Sequence, residues 1–271
     1  MLKQRVITGV CLAALLLWAI FFWPHNYFAG LLGLMALIAG WEWSRMCGLR
    51  STVQRAAYAL IGGATSMIPI TTPMLEWPVL FLIAPEFLFW FIATLILMRG
   101  RTPKKLGDNV SIARVLIAVP VFAGVLWSMV WLRESNVGSP LLLLYVFAIV
   151  WCADIGAYFA GRRWGKRKLS PNISPGKSVE GAVGGLLAVT IWALIFIWAE
   201  PFSFGAGLLL IATLVAGFFS IYGDLLESYM KRSVGIKDSG SILPGHGGLL
   251  DRIDSVLAAM PVFVFCVAVG D

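Results

Sequence analysis

Residues 204–230 read FGAGLLLIATLVAGFFSIYGDLLESYM, and the fold turns on how this stretch changes along its length. From Phe204 to Tyr222 there is no charged residue. Then come Asp224 and Glu227, followed at once by Lys231 and Arg232. A membrane-crossing helix needs about 20 mostly apolar residues. The stretch is too long for a single span. Its C-terminal end is therefore expected to project from the membrane, carrying its acids with it.

The rest of the chain agrees. Of 271 residues, 59% are hydrophobic and only 13% charged, against about a quarter charged in a soluble domain. The composition is that of an integral membrane protein, all-α, a polytopic bundle. Nine apolar segments are expected to span: roughly 5–23, 27–45, 56–72, 78–98, 112–132, 140–160, 181–199, 204–230 and 249–270. The third is the weakest, being short with a double glycine. The first has basic residues before it, as a signal peptide does. The following WPHNYFAG offers no small-x-small cleavage site, so it is read as a span. The four cysteines, Cys11, Cys47, Cys152 and Cys266, show no metal-ligand spacing and are expected as small core residues without disulfides.

Loop charge sets the orientation. The N-terminus and the even-numbered loops hold 20 of the 21 Lys and Arg residues, and the opposite side holds Arg133 alone. So strong a bias places the N-terminus in and the C-terminus out. No soluble domain remains. The chain divides into an N-terminal transmembrane region, 1–135, and a C-terminal region, 136–271, which carries the chemistry. The net charge of +7 suits an anionic membrane surface. Nucleic acid is not an expected partner, because the basic residues are scattered among apolar spans.

Seven acids, Asp154, Glu180, Asp224, Glu227, Asp238, Asp251 and Asp254, fall at the cytoplasmic ends of spans or in cytoplasmic loops. Asp224 and Glu227 are three apart on one helical face, with Lys231 a turn further. Asp251 and Asp254 repeat the spacing at the start of the last span, with Arg252 between them. Hard oxygen ligands of this kind suit Mg²⁺, which takes one or two carboxylates plus substrate phosphates. Asp–Arg and Glu–Lys pairs closing the bundle answer the same spacing. Carboxylates within spans are usually functional or paired, and for Glu42 and Glu86 capping, snorkelling or pairing is the plainer alternative.

Two loops complete the polar inventory. In GIKDSGSILPGHGG, residues 235–248, Gly240, Gly245, Gly247 and Gly248 allow backbone N–H groups to crowd toward an anion. Lys237, His246 and Arg252 nearby favour phosphate, although glycines also suit a plain connector. The second loop has a basic run, Arg162–Lys168, which positive-inside topology and lipid headgroup contact explain best, and then the turn Ser174-Pro175-Gly176-Lys177. Gly176-Lys177-Ser178 resembles the tail of a P-loop, but Pro171 stands where the leading glycine is required and no strand is expected before it. The turn has the better claim to a substrate phosphate.

The run from Ser228, SYMKRSVGIKDSGSILPGHGGLLDRID, resembles the signature of the phosphatidate cytidylyltransferases, S-x-x-K-R-x4-K-D followed by P-G-H-G-G-x-x-D-R-x-D. Trp41-Glu42-Trp43, the ADxGAY stretch at 153–158 and SPGKSVEG at 174–181 are also similar to that family, with Ser178 where threonine is commoner. The resemblance implies transfer of the cytidylyl group of CTP to phosphatidic acid, giving CDP-diacylglycerol and pyrophosphate for phospholipid biosynthesis. It implies metal ligation by Asp224 and Asp251, essential Mg²⁺, K⁺ as a second ion, and a homodimer among membrane lipids. A bacterial inner membrane, with the active site facing the cytoplasm, is the expected location. Within that reading Lys231, Arg232, Lys237 and Arg252 are the expected phosphate clamps. Asp238 and Asp254 would orient them, and Ser174, Lys177 and residues 245–248 would hold substrate.

Two rivals remain. A CDP-alcohol phosphotransferase would carry D-G-x2-A-R-x8-G-x3-D, which this chain lacks. A cation- or proton-coupled transporter also uses intramembrane carboxylates, but here they gather at one face rather than at the midplane.

Overall fold

The computed structural model describes residues 2–71, 78–100, 102–107, 109–199 and 201–270. In chain order it has α1 (Leu2–Phe22), α2 (His25–Met46), α3 (Thr52–Ser66), α4 (Ile68–Thr71), α5 (Val79–Met98), α6 (Ile112–Glu134) and α7 (Pro140–Trp164). A short antiparallel hairpin follows, β1 (Lys168–Ser170) and β2 (Ser174–Ser178). The chain then forms α8 (Val179–Ala199), α9 (Ala206–Ser233) and α10 (Leu250–Gly270). Among the described residues six helices, α5 to α10, are long and apolar enough to cross a membrane.

Eight of the nine expected segments each correspond to one helix. The third divides into α3 and α4 around Met67. Pro69 lacks the amide hydrogen that a continuous helix would need there. The expected end of that segment, residue 72, lies outside the described residues. The hairpin is a second departure, since no strand was expected before the Ser174–Lys177 turn.

The core is helix on helix. α10 runs through the middle, with Ala258, Ala259, Met260, Val262, Phe263 and Val264 fully buried. It packs against α9, α5, α6 and α7. α7 and α8 meet along a glycine seam. A Cβ on Gly184 would fall 2.1 Å from Ala160 Cβ, and one on Gly185 would fall 2.7 Å from the Ala153 carbonyl. Only small residues let two backbones come so close. The cysteines are free, and Cys11 is exposed on α1 rather than buried in the core.

The connections sort into two ends. At one end the Leu106 amide donates to Ser233 O and the Ser111 amide to Cys47 O. There too Arg45 donates to Ser239 O, and Thr8 to Pro244 O at 3.2 Å. At the other end Arg133 donates to the carbonyls of Ile20 and Trp23, and Glu134 pairs with His25 at 2.6 Å. The single basic residue expected outside thus sits apart from the rest. At about 1.5 Å per residue, the 28 residues of α9 run about 42 Å. That exceeds a hydrocarbon core of about 30 Å, and the surplus carries Asp224, Glu227 and Lys231 to the end where the polar loops meet.

Candidate active site

The last turns of α9 place Glu227 and Lys231 one above the other. Lys231 Nζ donates to Glu227 Oε2 at 3.0 Å and to Asp251 Oδ1 at 2.6 Å, joining α9 to the start of α10. Both side chains of the Lys231–Asp251 pair are under one-tenth exposed. Burying such a pair is tolerable only when its remaining valences are satisfied. Asp251 meets that condition by accepting the Ser239 amide at 3.0 Å and the Gly248 amide at 2.8 Å. Glu227 Oε1 is buried with no hydrogen-bond partner, beside the carboxyl group of Asp254.

One turn earlier, Asp224 accepts from Ser228 Oγ at 3.1 Å and pairs with Lys177 Nζ at 2.7 Å. Lys177 comes from β2, and it also donates to Ile221 O at 3.2 Å, so the hairpin is fastened to α9. The base of the hairpin is fixed by Glu180, which accepts the Lys166 and Arg167 amides and pairs with the Arg167 guanidinium at 3.0 Å. Between the hairpin, α7, α8 and α9 lies a cavity of about 360 Å³, lined in part by Asp154, Tyr158, Arg162, Lys177, Ser178 and Gly181. Arg162 donates to the Tyr158 hydroxyl at 2.9 Å on its wall. Asp154 lies within electrostatic reach of Lys177, Asp224 and Arg252.

The connection from α9 to α10 is a closed turn. Leu243 and Gly247 form an isolated bridge, and Gly245 and Gly247 take φ values of 77° and 84°, where a side chain would be strained. The His246 ring packs against Gly9 of α1, with Nδ1 buried and unpartnered. Glu42 of α2 accepts from Ser239 Oγ at 2.9 Å, from the Leu249 amide at 3.0 Å and from the Leu250 amide at 2.8 Å. It caps the N-terminus of α10, one of the roles expected of it, although it arrives from a distant helix.

The structure gathers Asp224, Asp251, Asp254, Lys177 and Lys231 at one level. Arg252 is exposed, and Lys237 and Asp238 face solvent without an ion pair among the described residues. Arg232 donates to Ile236 O at 3.0 Å, bracing the loop. Ser174 stands in β2 opposite Ser170. The Gly248 amide is already taken by Asp251, so it does not form the anion nest read from the glycines.

Among the described residues no three His, Cys, Asp or Glu side chains form a metal cage. The donor chemistry nevertheless fits Mg²⁺, which needs only one or two carboxylates and completes its shell with water and phosphate oxygens. Asp224 and Asp251 each hold an ammonium cation already, and the buried carboxyl groups of Glu227 and Asp254 face each other.

A family model described as "Cytidylyltransferase family" matches residues 3–269. The chain belongs to the cytidylyltransferase family. Among its relatives, this cytidylyltransferase is 37% identical to the phosphatidate cytidylyltransferase of Haemophilus influenzae over 98% of each chain. It is 39% identical to that of Pseudomonas aeruginosa over 97% of this chain and 96% of the relative. A third, from Staphylococcus saprophyticus, is 50% identical over 49% of this chain and 51% of its own length. The transporter rival finds no support in these likenesses. Sequence reasoning did not place Asp154, Tyr158 or Arg162 against substrate, and it named Glu227 only with Asp224 as a carboxylate face suited to metal. The ADxGAY stretch at 153–158 was the available signal for the first two.

Proposed function

We propose that the protein transfers the cytidylyl group of CTP to phosphatidic acid, releasing pyrophosphate and leaving CDP-diacylglycerol in the membrane. The observation that carries this reading is the Lys177–Asp224 pair at 2.7 Å on the edge of a 360 Å³ cavity, in a cytidylyltransferase-family chain whose α9 outruns the bilayer. In the reaction a lipid phosphate oxygen attacks the α-phosphorus of CTP. One P–O bond forms, and the bond to the β-phosphate oxygen breaks. The nucleophile is already an anion, so little proton abstraction is required. The main problem is holding two polyanions in line.

Each residue then has a physical task. Lys177, Arg162 and Tyr158 receive the nucleotide in the cavity. Arg252, exposed at the start of α10, and Lys237 approach the phosphates from the loop side. Lys231 keeps Asp251 oriented, and Asp254 and Glu227 face each other beside that pair. Asp224 and Asp251 would hold Mg²⁺. An ion held there would supply neutralisation of phosphate charge. K⁺ as a companion ion, a homodimeric assembly and a bacterial inner membrane with this end in the cytoplasm complete the reading.

The experiment is pyrophosphate release by detergent-purified protein given CTP and phosphatidic acid, with Mg²⁺ or with EDTA. Release is expected only with both substrates and metal. Asp224→Asn and Asp251→Asn are expected to abolish it while the protein remains folded and inserted. Turnover at the wild-type rate in both variants would overturn the metal assignment. No release from folded protein under any lipid, nucleotide or metal condition would overturn the reaction.

A further inference from the structure

Ser239 is fully buried, and all three of its polar groups are engaged by residues from other parts of the chain. Its amide donates to Asp251, its hydroxyl donates to Glu42, and its carbonyl accepts from Arg45. Glu42 and Asp251 thus bind the same two points. Each takes a hydrogen from Ser239 and at least one more from the amides of residues 248–250. Asp251 does so from the first turn of α10 and Glu42 from α2. Every partner of Glu42 is a donor, the pattern a carboxylate satisfies. It faces the N-terminus of α10, where the helix dipole favours negative charge.

The glycines carry the imprint of the same contact. A Cβ on Gly240 would lie 2.3 Å from Glu42 Oε1, and its three nearest neighbours all belong to Glu42. A Cβ on Gly248 would lie 2.6 Å from both Glu42 oxygens. These two glycines leave room for a glutamate, and the amides they flank are spent on carboxylates before any phosphate arrives.

We infer that Glu42 is a positioning residue for the proposed reaction: it clamps both ends of the 239–250 loop and so fixes the direction in which Asp251 presents its carboxylate. The contact itself stands on geometry, whereas its consequence for metal rests on the preceding reading of the site. Arg45, one turn along α2, supports the clamp through Ser239 O, which makes the end of α2 a brace for the loop.

The test uses full-length protein in detergent and two readouts. The first is hydrogen exchange at the amides of Leu249 and Leu250 in metal-free protein. Glu42→Gln keeps the shape but replaces one acceptor oxygen by a donor, and is expected to speed exchange there by about tenfold or more, with the remaining helices unchanged. The second is the Mg²⁺ concentration giving half-maximal activity, expected to rise roughly 10–100-fold. A loss of folded protein alone would lower the rate without moving that midpoint. Unchanged exchange, or an unchanged Mg²⁺ midpoint in an active enzyme, overturns the inference.

A double-mutant cycle guards against a variant that merely misfolds. Gly240→Ala is expected to lower the thermal midpoint when Glu42 is present and to add nothing once Glu42→Ala has vacated the space. Independent, summed losses would overturn the contact. Should the wild-type protein fail to transfer cytidylyl groups, the preceding reading falls, while exchange and the cycle still decide whether Glu42 clamps the loop.

Discussion

Glu86 is one of the least comfortable side chains in the molecule. It lies on α5, 4% exposed, and its Oε2 has no hydrogen-bond partner. Its Cγ occupies the space that a Cβ on Gly124 would need, at 2.5 Å. A buried polar atom left unpaired costs about 1–3 kcal/mol. Glu86→Met, close in volume and apolar, is therefore expected to raise the thermal midpoint in detergent, as followed by helical circular dichroism. Gly124→Ala is expected to lower it. Cys47 shows the opposite situation: it is fully buried, and burial pushes its thiol up to about 12. It behaves as the small core residue that the sequence suggested.

At the scale of elements, the packing of α7 on α8 admits a sharper test. Gly184→Ala would drive a methyl group into Ala160. Overpacking of this kind costs about 1–3 kcal/mol. The thermal midpoint is expected to fall, and cytidylyl transfer with it, because Gly181 and Ala182 of the same helix line the cavity. Gly30→Ala on α2 meets nothing within 4 Å and is expected to be neutral or slightly stabilising. Most elements were legible in the sequence, because apolar runs bounded by charge leave little choice but helices. The hairpin was not. Its strands are three and five residues long, and SPNISPGKS carries turn-forming Pro, Asn and Gly in place of β-branched alternation. The order of the site was half legible. Asp224, Lys231 and Asp251 announce themselves by helical spacing. The Lys177–Asp224 and Glu42–Leu250 contacts join residues far apart in sequence, 208 positions in the second case, and no local periodicity encodes such a pairing.

For the molecule as a whole, charge and contacts agree on two ends. Arg133, Glu134 and His25 gather at one, and the basic loops gather at the other. If the basic end faces the cytoplasm, a cysteine-free background carrying Asn136→Cys should react with a membrane-impermeant maleimide in intact cells. Lys166→Cys should react only after permeabilisation. The reverse pattern would invert the topology and place the proposed site away from its nucleotide.

The reach of Glu42 has a consequence in time. A chain made at about 5–20 residues per second needs roughly 10–40 s to pass from residue 42 to residue 250. Throughout that interval α2 exists while the amides that will receive its carboxylate have not been synthesised. The nascent protein must hold this acid at the interface, or against some temporary partner, until α10 emerges. Assembly of the candidate site is thereby deferred until α10 is made, and a chain interrupted before residue 249 would carry its carboxylates without this geometry.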